Sequence, residues 1–138
     1  MNVELLTKVA EWLEAGAPHT VTPLGDIAGF NMGWVQRKID KDYRPEFMTE
    51  FLNTPDACGT VCCIAGYAAG LNGDRIDTED FVEYASHAFD LRYSEAKRLC
   101  DPFYEVEDLE EVEDLEKVSP AQAARVIRHL IKTGEVVW

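Results

Sequence analysis

From Val61 to Leu71 the chain reads VCCIAGYAAGL, eleven residues without a charge. Wound into a helix, this stretch places Cys62, Gly66 and Ala69 on one side and Ile64, Ala68 and Leu71 on another, so that it is small or apolar all round. Such a helix has no face to offer water and belongs in the middle of a domain. Thr60 stands where an N-cap belongs, and Gly59 permits the turn into it. Free cysteine behaves in such a place as a small hydrophobe, while Gly66 and the alanines let neighbouring helices come close. A central helix over 61–71 requires others around it, and the rest of the chain is read for them.

Val3, Leu5, Leu6, Val9, Ala10, Trp12 and Leu13 recur at helical spacing, with Asn2 to cap the start and Gly16 to stop it. The last helix is the most explicit. Ser119 and Gln122 form a capping box with Pro120 at the first helical position, Val126, Ile127, Leu130 and Ile131 face inward, and Gly134 ends it. Thr78 is read as the cap of a helix carrying Phe81, Val82, Tyr84, Ala85, Ala88 and Phe89, and Ser94 as the cap of a shorter one through Ala96, Leu99 and Cys100. Pro45 opens a short helix through Phe47, Met48, Phe51 and Leu52 that Pro55 ends. Between Ala17 and Arg44, Pro18, Pro23, Gly25, Gly29 and Gly33 break the pattern into loops with a short extended pair. The closing EVVW reads as a short strand or an extended tail. With no βαβ rhythm, the expectation is one mostly α domain over residues 1–138, a compact bundle of about five helices with short extended pieces.

The chain carries 26 acidic and 13 basic residues, a formal charge of -13. That excess repels nucleic acid and anionic membranes, and favours a partner with a basic surface or simple solubility. The N-terminal segment has acidic residues throughout and no long apolar run, so neither a signal peptide nor a membrane span is expected there. Cytoplasmic cysteines, the reading that follows, are reduced thiols or ligands rather than disulfides.

Three of the four cysteines, Cys58, Cys62 and Cys63, lie within six residues. Structural zinc takes paired short spacings of ligands. Cys58 and Cys62 supply one such gap, but Cys100 stands alone and His19, His87 and His129 are scattered. If any metal were held, Cys58, Cys62 and Cys63 would hold it, and a thiol-based or zinc-binding protein is the alternative reading. A helix N-terminus would lower a thiol pKa there, yet catalysis also needs a base, and no spacing places an imidazole nearby. Packing is the stronger explanation, with no cofactor and no catalytic residue implied. Trp34 and Trp138 are the two tryptophans expected to be partly exposed.

Residues 106–117, VEDLEEVEDLEK, are one six-residue unit written twice, with Val106, Leu109, Val112 and Leu115 spaced by three. Steps of three fall about 60° short of a full α-helical turn, so these groups spiral off any single face and suit 3₁₀-like turns better. Glu105, Glu107, Asp108, Glu110, Glu111, Glu113, Asp114 and Glu116 put eight carboxylates into twelve residues, with Asp80, Glu83 and Asp101 in addition. This acidic face is the candidate partner-binding surface, in the manner of proteins that imitate the charge of DNA. A merely solvated face and adaptation to high salt are the alternatives.

The segments FNMGWV, CGTVCCIAGYAAGL, AFDLRYSEAKRLCDPF and SPAQAARVIRHLIKTGEVVW together resemble a family of small proteins common in bacteriophages and bacterial genomes. Those proteins carry a C-G-T segment running into I-A-G, then an L-F-x-P segment, then a C-terminal helix ending T-G-x-V-x-W. The resemblance marks Cys58, Gly59, Thr60, Cys62, Ala65 and Gly66 as a structural signature, with Cys63 and Cys100 outside it. It implies a phage or mobile-element origin and an accessory role, without a mechanism.

Overall fold

The structure, a computed structural model of the chain, describes residues 1–33, 36–39, 59–102 and 115–138. The expected helix opened by Pro45, and Trp34, lie outside them. Among the described residues there are five α-helices and a four-stranded sheet.

The first helix, α1 (Val3–Glu14), forms where its apolar spacing predicts. Asn2 Oδ1 accepts from the Leu5 N–H at 3.1 Å, and Leu5, Leu6, Val9, Ala10, Trp12 and Leu13 are buried, whereas Val3 is exposed. The last helix, α5 (Pro120–Thr133), has both halves of its capping box. Ser119 Oγ accepts from the Gln122 N–H, Gln122 Oε1 accepts from the Ser119 N–H, and Gly134 ends the helix with a φ of 79°. These two helices pack together, with Arg128 of α5 donating to both carboxylate oxygens of Glu14 at 2.8 and 2.9 Å.

Two short helices start near their expected caps, but not on them. Helix α3 (Phe81–Phe89) has Asp80 rather than Thr78 as its N-cap residue, with no side-chain cap bond, and Asp77 Oδ1 accepts from the Glu79 and Asp80 N–H groups in the turn that leads into it. Helix α4 (Tyr93–Cys100) begins before Ser94, because the Glu95 carboxylate reaches back to the Arg92 N–H at 2.9 Å and holds the Arg92 guanidinium as well. Residues 135–138 form no strand. They run as an extended tail fastened by the Trp138 indole N–H to the Arg98 carbonyl at 2.6 Å.

The sheet corrects the reading of residues 59–62 and gives residues 20–39 more strand than the one short extended pair expected there. Strand β1 (Thr20–Thr22) turns through Pro23 and Leu24 into antiparallel β2 (Gly25–Phe30). Strand β3 (Gln36–Ile39) does not pair with β2. Strand β4 (Gly59–Cys62) enters between them, parallel to β2 and antiparallel to β3, giving the order β1-β2-β4-β3. Gly59 to Cys62 therefore belong to an interior strand, and Thr60 is not the N-cap residue of the helix. The expected helix begins later, as α2 (Ile64–Asn72), with Cys63 as its N-cap residue. The physical reason is that an interior strand and a buried helix are both uncharged, and here one follows the other without a polar break.

Helix α2 is buried from Ile64 to Gly70 and packs on β2 and β4 as well as on α1 and α3. Gly70 makes the approach to the sheet possible: a Cβ there would lie 3.3 Å from Ile27 Cδ1 and 3.4 Å from Thr22 Oγ1. Toward α1, Tyr67 stacks on Trp12 with ring centroids 3.8 Å apart, and Trp12 meets Phe30 edge-on. The fold is mostly helical, as composition and spacing imply, but it is organised around a mixed sheet as well as helices.

Two exposed ion pairs set the acid behaviour of this framework. Hydrogen bonding to Arg128 holds the Glu14 carboxyl below its usual range, and Arg92 does the same for Glu95. Both groups are easier to ionise in the folded chain, so their contribution is present above the ordinary glutamate value of about 4.3 and is lost as pH falls through the depressed one. Stability measured from pH 6 down to 3 is expected to fall less steeply in Glu14→Gln than in the parent. An identical slope would mean that the Arg128 pair contributes nothing in solution.

Candidate functional site

The signature stretch folds into a strand that becomes a helix with no intervening loop. Cys62 ends β4, paired with Phe30 on one side and Gln36 on the other. Its carbonyl accepts from the Asn31 N–H at 3.1 Å. Cys63 follows in extended conformation, φ -80° and ψ -172°, and its carbonyl accepts the first helical bond from Tyr67 at 2.9 Å. Its thiol therefore occupies the position where a helix N-terminus would favour a thiolate.

Burial decides the outcome against that. Cys62, Cys63 and Cys100 are outside any disulfide and have at most 1% exposure. Burial raises the Cys63 pKa to about 11 even though the N–H groups of Gly66 and Ala65 pull it down. Burial, followed by the neighbouring Cys63, pushes Cys62 and Cys100 well above the ordinary range. A thiol with its pKa raised in this way is protonated at pH 7, whereas nucleophilic attack needs the thiolate. Cys58 lies outside the described residues.

The histidines are placed elsewhere. His19 Nε2 stands 3.3 Å from Asp26 Oδ1 beside the β1–β2 hairpin, His87 lies exposed on α3 with Glu83 at 3.9 Å, and His129 is exposed on α5. Among the described residues no three His, Cys, Asp or Glu side chains gather closely enough to hold a metal ion.

Gln36 carries a structural role that no spacing announces. Its Nε2 donates to the carbonyls of Gly66 at 3.0 Å and Asp74 at 3.1 Å, and its Oε1 accepts from the Ile76 N–H at 2.9 Å. One side chain on an edge of the described sheet thus holds the first turn of α2 and the chain leaving its end. Gln36→Leu keeps most of the volume and removes three hydrogen bonds to the backbone, for an expected loss of about 1–3 kcal/mol. Urea midpoints measure it, and a change below about 0.5 kcal/mol would show that water replaces the amide without cost.

The acidic candidates divide. Residues 105–114, and with them Glu105, Glu107, Asp108, Glu110, Glu111, Glu113 and Asp114, lie outside the described residues. Glu116 belongs to a short 3₁₀ turn, Leu115–Lys117, the described part of the doubled unit expected to form such turns. Asp101 caps the end of α4, where burial raises its carboxyl pKa against the pull of Lys97. Asp80 and Glu83 are exposed at the start of α3.

They belong to a second acidic stretch that the sequence reading passed over in part. Asp74, Asp77, Glu79, Asp80 and Glu83 are all exposed along the α2–α3 connection, with Arg75 as its only cation. Two of these carboxylates are fixed by the fold, Asp74 Oδ2 accepting from the Tyr84 hydroxyl at 2.8 Å and Asp77 Oδ1 capping the turn. The density of Asp and Glu between Asn72 and Tyr84 was the available signal. No helix among the described residues is long and apolar enough to cross a membrane. Comparison with models of protein families, with curated proteins and with solved structures finds no match to this chain.

Proposed function

We propose that the chain is a non-enzymatic accessory protein of phage or mobile-element type that acts by binding a protein with a basic surface. Its target is a nucleic-acid-processing or defence complex of the host cell, inhibited when the acidic segment takes the place of a phosphate backbone. The observation that carries this reading is the run of eight carboxylates from Glu105 to Glu116 in a chain of net charge -13. Twelve residues span between about 18 Å as a helix and about 40 Å fully extended, so the charges fall about 2–5 Å apart along the chain. Phosphates recur about every 3.4 Å along one DNA strand, so a groove built for them meets a comparable charge density here.

The exposed carboxylates from Asp74 to Glu83 add to the same field and lower the tendency of nucleic acid itself to bind. Burial of Cys62, Cys63 and Cys100, with their pKa values raised, counts against nucleophilic thiol chemistry and supports a packing role for them. The test is capture from host extract at low salt, comparing the parent with a variant in which every Asp and Glu of residues 105–116 is an amide. The parent is expected to retain a partner that the variant loses. Binding to that purified partner should weaken more than about tenfold between 50 and 200 mM salt. Affinity indifferent to salt, or retained by the amide variant, would overturn the charge-imitation reading.

A further inference from the structure

We draw no further inference here: the strongest candidate, the acid-free outer face of α5 where Arg125, His129 and Lys132 stand exposed opposite the core, carries nothing because nothing in the structure shows what covers it.

Discussion

Replacing Phe89 by alanine is expected to lower the free energy of unfolding by about 3–5 kcal/mol. Phe89 is fully buried at the end of α3, and among the described residues it is the largest fully buried side chain. Its ring belongs to the same apolar core as residues from all five helices, while its carbonyl accepts the Asn2 N–H at 2.6 Å and so seats the start of α1. Truncation removes the transfer energy of the ring and leaves a cavity that close-packed helices collapse into only partly. Domains of this size are stable by about 5–15 kcal/mol, so the loss is a large fraction of the whole. Phe89→Leu, which keeps much of the volume, should cost far less. Urea unfolding followed by circular dichroism reads both variants, with the midpoint falling and the slope unchanged. If Phe89→Ala costs under 1 kcal/mol, the ring is not in a packed core.

The second large effect concerns the thiols. In the native protein at pH 7, Cys62, Cys63 and Cys100 are expected to resist a soluble alkylating reagent, and all four cysteines should react once the chain is denatured. The thiolate fraction of Cys63 is lowered roughly 100-fold, since its pKa stands at about 11 rather than the ordinary 9.0. Burial adds a further barrier, because a reagent reaches these sulfurs only when the surrounding packing opens. Mass spectrometric mapping of labelled peptides assigns the reaction to individual cysteines. Rapid labelling of Cys63 in the native state would return the strand-to-helix junction to consideration as a reactive centre. Slow labelling leaves it as packing.

How much of this was legible in the sequence differs from element to element. Helices α1 and α5 were readable because local signals agree with the long-range ones: each has a polar cap, an apolar stripe and a glycine beyond its end. The starts of α3 and α4 were misplaced by a residue or two, since several polar side chains compete to cap and the winner depends on the shape of the preceding turn. Strand β4 was not readable at all. Gly59 to Cys62 carry no alternation, and their partners Ile27 to Phe30 and Gln36 to Ile39 lie twenty or more residues away. Pairing of that kind is a property of the assembled sheet. The acidic candidates were legible as chemistry, because charge needs no fold to be counted.

Sequence by itself determined the acid excess, the two capped helices at the ends, and the need to bury VCCIAGYAAGL. These follow from local bonding and from the cost of exposing apolar surface, which hold wherever the chain goes. Tertiary structure alone decided that this stretch divides at Cys63 into an interior strand and a helix. It also decided that Gln36 ties the sheet to both ends of α2, and that three thiols are buried. Each of those outcomes depends on what a distant segment places alongside, and a residue's burial and its hydrogen-bond partners are set by that neighbour rather than by the residue.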